Sequence, residues 1–272
     1  MYFITLSRKM GACGSEIARQ VAQELRYHLY DTEAIENAAR EMGFLKDVKD
    51  IDGKAPSIFE RIFSSRPQMH LDRLMAVLCE LASRGNALFL GRGSHILLRE
   101  FPCAMHVRVI ASLEKRIQSV MERGVQREAA VKSIRRSDHE RAAFVKFAFG
   151  VDWDNPELYD LVINMDHLTV PLAADIVTHM ATSEEVKARS MDAMQSLAMM
   201  GLVRRAEAAL IEKGFSPPYI SVCAIEPCKV RLTGTVGVPW EKANVERIVK
   251  DIQDITSVDN QIQIAAAFSK GA

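Results

Sequence analysis

Short apolar runs alternate with stretches of helical periodicity over the first two-thirds of the chain. The run Tyr2–Leu6 ends at a glycine-containing turn. Apolar residues follow at Ile17, Val21 and Leu25, a spacing that places them on one face of a helix. Ala87–Leu90 is apolar throughout, as expected of a parallel strand that is buried on both faces. A strand, a glycine turn and a helix are therefore the predicted opening of the protein.

The same pattern continues to about residue 180. It predicts further strands at 27–30, 105–110 and 159–164, and helices at 71–83, 112–122, 126–147 and 171–180. Thr32 is predicted to cap a helix after the second strand. Residues 43–68 are less regular and contain several glycines and prolines. The alternation of strands and helices predicts an α/β fold, a parallel sheet with helices on both faces.

The pattern changes near residue 181. Residues 183–213 read as helix, rich in Met and Ala and broken at Gly201. The elements predicted after it are a hairpin, a helix and a strand, at 220–224, 230–236, 241–252 and 258–264. We therefore predict two domains, at 1–182 and 201–269, joined by a helical linker at 183–200. The second is a small α+β unit with the order α-β-β-α-β.

Composition narrows the class of protein. Lys plus Arg and Asp plus Glu are 35 each, so net charge favours neither nucleic acid nor an anionic membrane as a partner. No apolar run approaches the roughly 20 residues of a transmembrane helix, and the N-terminus lacks the features of a signal peptide. We therefore expect a cytoplasmic protein. Five scattered cysteines without CxxC spacing favour reduced thiols over disulfides or a zinc site.

Three motifs follow the predicted strands, where parallel sheets bind ligands: Ser7–Gly14, Asp31 and Gly91–Gly93. A loop of small residues before a helix can direct backbone N–H groups at a phosphate. The standard phosphate loop is GxxxxGK[ST]. Without gaps, Arg8 falls at its first glycine, Cys13 at its second and Gly14 at its lysine. By this pattern alone, a turn without a ligand is the favoured interpretation.

A wider set of motifs resembles the cytidylate-kinase-like family. These motifs are ITLSRKMGACGSEIA, Tyr30-Asp31, FLGRGSHILL, IRRSDHERAAF and DWDNPELYDLVINMDHL, in the family's order over about residues 1–180. The resemblance implies a P-loop fold, ancestry among nucleoside monophosphate kinases, and the use of ATP and Mg²⁺. The implied ATP-binding residues are Arg8, Gly11, Ala12, Cys13, Gly14, Ser15 and Asp31. For Arg8, a surface turn residue without a ligand is an equal alternative.

Four arginines are candidates for the catalytic work. Arg92 stands between two glycines at a strand end and could hold the acceptor phosphate, although a structural ion pair is the alternative. Arg135, Arg136 and Arg141 share one predicted helix. The family resemblance implies a lid whose arginines close over phosphates, whereas a solvated charged face is the plain alternative. Asp31 could orient a magnesium-bound water or could simply cap a helix.

Residues 202–268 resemble a BON domain, most clearly in VRLTGTV. The resemblance implies binding of phospholipid, a small ligand or a protein partner; dimerisation or stabilisation of the chain is the alternative. The prediction for the whole chain is ATP-dependent phosphoryl transfer to a nucleoside monophosphate, with a cytidylate-like acceptor favoured by resemblance. Because the loop lysine is absent, the alternative is a nucleotide-binding regulatory protein whose output is the BON-like module.

Overall fold

The computed structural model describes residues 3–42, 67–188, 193–215 and 219–265. The chain forms two compact units, one of residues 1–38 and 81–194 and the other of residues 39–80 and 195–272. The irregular stretch predicted at 43–68 lies almost wholly outside the described residues. No helix in the described ranges is long and apolar enough to cross a membrane.

The first unit contains a five-stranded parallel sheet. Its strands are β1 (Phe3–Arg8), β2 (His28–Tyr30), β3 (Ala87–Leu90), β4 (Ala104–Ile110) and β5 (Leu161–Asn164). They lie in the order β2-β3-β1-β4-β5, and every neighbouring pair is parallel. The predicted α/β fold with a parallel sheet is confirmed.

Helices connect these strands. They are α1 (Gly14–Leu25), α2 (Thr32–Glu41), α3 (Pro67–Ser83), α4 (Ser94–Leu97), α5 (Leu113–Met121), α6 (Arg127–Phe149), α7 (Val170–Thr182) and α8 (Glu184–Ala188). The core lies between the sheet and helices α1 and α7, where Leu6 and Val107 pack with Ile17, Val21 and Val177. Burial of these apolar side chains holds the loop between β1 and α1 at a fixed place on the sheet edge.

Two local predictions at the sheet edge need correction. Strand β1 runs two residues further than the apolar pattern indicated, so Ser7 and Arg8 pair with β4. Thr32 is the first residue of α2 rather than its cap. Asp31 caps that helix, because its carboxylate accepts a hydrogen bond from the N–H of Ala34 at 3.1 Å.

The second unit contains a small mixed sheet with helices. Its elements after residue 192 are α9 (Ala193–Glu212), β6 (Ile220–Glu226), β7 (Lys229–Val236), α10 (Pro239–Lys250), β8 (Ser257–Asn260) and β9 (Gln263–Ile264). Strand β7 pairs antiparallel with β6 and parallel with β8 and β9. The core contains Leu202 and Leu210 of α9, Leu232 of β7, and Val245 and Val249 of α10. A small second domain with a mixed sheet is thus confirmed.

Two predictions in this unit were wrong in detail. Helix α9 continues through Gly201, since a Cβ there would lie only 3.3 Å from Cβ of Cys79 and the glycine allows this close packing. The final strand predicted at 258–264 is two short strands, β8 and β9. Between them the N–H of Gln261 still reaches the carbonyl of Leu232 at 2.8 Å. The predicted boundaries at 182 and 201 remain a prediction.

Candidate functional site

The predicted strand-end motifs lie side by side because β2, β3 and β1 are neighbours in the sheet. Arg8 ends β1, Asp31 follows β2, and Gly91–Gly93 follow β3. The N–H of Gly91 donates to the carbonyl of Leu6 at 2.9 Å, which ties the β3 turn to β1. All three motifs therefore border one site at the carboxyl edge of the sheet.

The loop from Lys9 to Cys13 exposes backbone N–H groups. Gly11 has φ +81° and Cys13 has φ +58°, so both residues adopt a left-handed conformation just before α1 begins. Within the described part of the chain, the N–H groups of Gly11, Cys13, Gly14 and Ser15 have no hydrogen-bond partner. Such a concave run of free amides at a helix N-terminus favours an anion. This geometry fits the ATP-binding role predicted for residues 11–15, with Ala12 held by a bond to the Lys9 carbonyl.

Packing explains the small residues of the loop. A Cβ on Gly11 would lie 2.6 Å from the backbone oxygen of Arg116, and a Cβ on Gly14 would lie 2.5 Å from Cβ of Arg8. Neither neighbour is a flexible side-chain end, so both positions require glycine. Gly14 is the lysine position of the standard pattern, and this packing leaves no room there for any side chain. Ser15 follows directly, at the hydroxyl position of that pattern.

Arg8 is a partly buried cation at the edge of the loop. Its Nη1 donates to the carbonyl of Leu90 at 3.3 Å and touches the backbone at Gly91. Burial lowers the pKa of Arg8 to about 10, with Arg141 and Arg92 contributing in the same direction and Asp31 opposing them. Arg8 is still charged at neutral pH. It therefore contributes positive charge beside the free amides.

Arg141 approaches Arg8 from α6. Its Nη1 donates to the backbone carbonyl of Arg8 at 3.0 Å, and burial lowers the pKa of its guanidinium. Within the described residues, neither Arg8 nor Arg141 forms an ion pair with a carboxylate. Asp138, one turn before Arg141, pairs instead with Arg116 at 2.7 Å. Since a cation partly withdrawn from water is stabilised by a negative partner, this pair of arginines favours an anionic ligand.

Arg92 occupies the β3 turn in a left-handed conformation, with φ +61°. Its Nε donates to the hydroxyl of Thr32 at 3.1 Å, which aims the side chain across the end of β2. The adjacent Gly93 packs against the ring of Phe149, where a Cβ would lie 2.7 Å from a ring carbon. Arg92 is close enough to lower the pKa of Arg8, so the two guanidinium groups share one region of positive charge.

The other two predicted lid arginines lie elsewhere on α6. Arg135 and Arg136 are exposed, and Arg136 pairs with Glu140 at 2.7 Å on the same helix. The structure therefore brings Arg8, Arg92 and Arg141 together and leaves Arg135 and Arg136 on the solvent side. Their role in a closing lid remains a prediction.

A cavity of about 240 Å³ lies on the other side of the loop. Four segments line it: the loop itself, the residue that follows β4, one face of α5 and the connection from β5 to α7. Its lining residues are Gly11, Ala12, Cys13, Ala111, Lys115, Gln118, Ser119, Glu122, Met165, Leu168, Thr169 and Val170. The mixture of apolar walls and a few polar groups is typical of small-molecule sites.

Sequence reasoning missed the residue that organises the base of the site. Arg108 of β4 is 2% exposed and donates to the hydroxyls of Ser7 and Tyr159 at 3.0 and 3.1 Å. It also pairs with Asp154 and stacks on the ring of Trp153, 3.8 Å from the ring centre. The one available signal was an arginine inside the mostly apolar strand AMHVRVI.

The described residues offer few side chains to a metal ion. They contain no group of three or more His, Cys, Asp or Glu side chains able to hold a metal ion. Magnesium at phosphate sites usually keeps several waters and takes only one or two carboxylates plus phosphate oxygens. The carboxylates near Arg8 belong to Asp31, which caps α2, and to Glu16, which pairs with Arg123 at 2.7 Å.

Comparison with solved structures supports the fold. The chain is similar to a crystal structure of an uncharacterized protein from Eubacterium ventriosum ATCC 27560, with 19% identity and a TM-score of 0.55, covering 68% of this chain and 100% of that one. It is more weakly similar to shikimate kinase from Acinetobacter baumannii in complex with shikimate, with 19% identity and a TM-score of 0.40, covering 68% and 95%. Similarity at that level carries no information on the substrate.

No curated protein sequence matches this chain. The model of the cytidylate kinase-like family, however, matches residues 3–167, which is more than half of the 272 residues. The matched part contains all five strands of the parallel sheet, the loop with its free amides, and Arg8, Arg92 and Arg141. The chain therefore belongs to the cytidylate kinase-like family.

Proposed function

We propose that this protein transfers a phosphoryl group from ATP to a nucleoside monophosphate, with a cytidylate-like acceptor favoured by the family resemblance. Membership of a kinase-like family supports a kinase-like function on a nucleotide or another small molecule. The single observation that carries the proposal is the convergence of Arg8, Arg92 and Arg141 beside a loop of free amides. Phosphate groups would match both features.

The residues fall into two groups around the migrating phosphoryl group. The free amides of Gly11, Cys13, Gly14 and Ser15 would hold the phosphates of ATP, and the rest of the nucleotide would lie in the cavity that the loop lines. Arg92 would hold the phosphate of the acceptor. Arg8 and Arg141, linked by their 3.0 Å hydrogen bond, would lie between the two ligands. Arg135 and Arg136 would add charge if α6 moved on closure.

The reaction requires little covalent chemistry from the protein. The bond from the γ-phosphorus to the bridging oxygen breaks, and a bond forms to a phosphate oxygen of the acceptor. Negative charge spreads over the transferred group, so fixed arginines and amides stabilise it. Magnesium bound with the nucleotide would supply further positive charge. Arg8 and Arg141 are partly buried and joined by a hydrogen bond, and hence little reorganisation would accompany the transfer.

The alternative is a nucleotide-binding regulatory protein with little transfer activity. Its supporting observation is Gly14, since the packing of Arg8 leaves the usual lysine position without a side chain. In either case we propose that residues 201–269 are a BON-like module that binds phospholipid, a small ligand or a protein partner. The order of α9, β6, β7, α10 and the last strands agrees with that proposal.

A transfer assay distinguishes the two functions. Purified protein is incubated with Mg-ATP and each nucleoside monophosphate in turn, and the diphosphate product is measured. We expect transfer to one monophosphate, with losses of at least tenfold in Arg92→Ala and Arg141→Ala, in line with the removal of one charge-assisted contact. Arg127→Ala is the matched control, because Arg127 lies on the same helix as Arg141 but is exposed and pairs with Glu114.

Either outcome is informative. Transfer that is lost in the Arg92 and Arg141 variants and kept in the Arg127 variant supports the kinase and identifies its acceptor. Nucleotide binding without transfer to any monophosphate would reject the kinase and favour the regulatory protein.

A further inference from the structure

The loop between β1 and α1 has two different sides. Strand β1 lies between β3 and β4, and the Arg8 guanidinium points to the β3 side, where it reaches the carbonyl of Leu90. The 240 Å³ cavity lies on the β4 and β5 side, where Ala111 and Met165 line it. A nucleotide in this cavity would therefore approach the loop from the side opposite to Arg8.

The loop itself offers no cation on the cavity side. Gly14 occupies the lysine position and cannot be replaced by a larger residue without displacing Arg8. Lys9 is engaged elsewhere, in a 3.0 Å ion pair with Asp154. Neither Arg8 nor Lys9 lines the cavity. The phosphates of a bound triphosphate would need their positive partner from another element.

Helix α5 is the element that contacts the loop here. The backbone oxygen of Arg116 lies against Gly11, and the hydroxyl of Ser119 lies 3.8 Å from the thiol of Cys13. Lys115, in the first turn of α5, lines the same cavity as Gly11 and Cys13. Lys115 is the one cationic residue among the described residues that line the cavity.

The charges around Lys115 leave it available for a ligand. Glu114 pairs with Arg127, and the carboxylate of Asp166 accepts a bond from the N–H of Ser112. Within the part of the chain that the structure describes, Lys115 forms no ion pair. Glu122 is the cavity's one acidic residue, and it lies about 10 Å further along the helix, at 1.5 Å per residue.

We propose that Lys115 takes the place of the missing loop lysine and binds the outer phosphates of the triphosphate donor. This inference rests on the proposed function, because it assigns the cavity to the donor nucleotide. The lysine ammonium reaches the phosphates from α5 rather than from the loop. A lysine can thus bind the outer phosphates although the packing around Gly14 excludes a lysine from the loop.

The test measures the Kd of ATP, ADP and AMP for four proteins. These are the wild type, Lys115→Met, Lys115→Arg and the control Lys132→Met, whose lysine is exposed on α6. Methionine keeps the length of the side chain and removes its charge. We expect Lys115→Met to weaken ATP binding roughly ten- to hundredfold and AMP binding by less than about threefold, as for the loss of one charge-assisted phosphate contact. Lys115→Arg retains most of the affinity, and Lys132→Met retains all of it.

The difference between the losses of ATP and AMP affinity distinguishes a contact with the outer phosphates from a contact with the base or ribose. Equal losses for ATP and AMP in Lys115→Met would overturn the inference, since they would indicate a contact with the base or ribose. Unchanged ATP binding would overturn it as well, while wild-type transfer activity would leave the proposed function intact. A wild-type protein that binds no nucleotide would reject both. Equal urea unfolding midpoints for the four proteins would show that the losses do not come from misfolding.

Discussion

Replacing Gly91 with alanine tests whether the position of the Arg8 guanidinium is needed for phosphate binding. Gly91 has φ +81°, and a Cβ there would lie 2.3 Å from Nη1 of Arg8. This atom is the far end of a side chain, so the guanidinium would move aside rather than the backbone. It would then give up its hydrogen bond to the Leu90 carbonyl and its place between the two ligands.

The expected loss of stability has two parts. An alanine in the left-handed region costs about 1 kcal/mol relative to glycine. The lost hydrogen bond of Arg8 costs about 1 kcal/mol more, which gives a total of about 2 kcal/mol. Gly124→Ala is the matched control, because Gly124 has φ +86° and no atom within 4 Å of its Cβ position. That variant should lose only the first part.

Gly91→Ala and Gly124→Ala should differ more in kcat/KM than in the free energy of unfolding. Urea unfolding measures the free energies, and the transfer assay measures kcat/KM with the acceptor that the panel identifies. We expect Gly91→Ala to lose at least tenfold in kcat/KM, the equivalent of about 1.4 kcal/mol, and Gly124→Ala to stay within about twofold. Equal kcat/KM in the two variants would refute the argument that Arg8 must occupy this position.

Three further predictions concern stability. Arg108→Met should lower the free energy of unfolding by about 3 kcal/mol in urea titrations, because it removes a buried cation from its hydrogen-bonded partners; a loss below about 1 kcal/mol would contradict this. Burial lowers the pKa of His95 to about 3 and that of His106 to about 4, so the unfolded chain takes up more protons below pH 6.5. Stability in urea titrations should therefore decrease as the pH is lowered from about 6.5 to 4, by up to about 1.4 kcal/mol per pH unit for each histidine, and the decrease should be smaller in His95→Gln. Gly234→Ala should destabilise the small sheet by about 3 kcal/mol or more, seen as an earlier urea transition, because its Cβ would lie 2.0 Å from the backbone oxygen of Tyr219; an unchanged transition would argue against that packing.

The cluster of three arginines and the network around Arg108 have different roles. Arg8, Arg92 and Arg141 border the space where phosphates are proposed to bind. Arg108 ties β4 to Ser7, near the end of β1. Its ring contacts with Trp153 and Tyr159 fix the guanidinium in place. It therefore acts on the site by positioning the end of β1.

The order of elements could be read from the sequence because each one has its own periodicity. The apolar run Ala87–Leu90 is the observed β3 without change, and the predicted strand 105–110 is extended by one residue. Glycine turns after β1 and β3 marked the strand ends that form the site edge. Alternating strands and helices imply a parallel sheet, and ligands bind at the carboxyl edge of such sheets, so the sequence alone located the site.

The identity of the side chains that meet at that edge depended on the tertiary structure. Arg135, Arg136 and Arg141 look alike in the sequence, yet only Arg141 faces the loop, because α6 packs with that side toward Arg8. Periodicity reports which face of an element is buried and not which distant residue it meets. The contact of Arg141 with Arg8 spans 133 positions, and that of Arg108 with Ser7 spans 101. Contacts at such separations arise from the packing of whole elements, which no local pattern records.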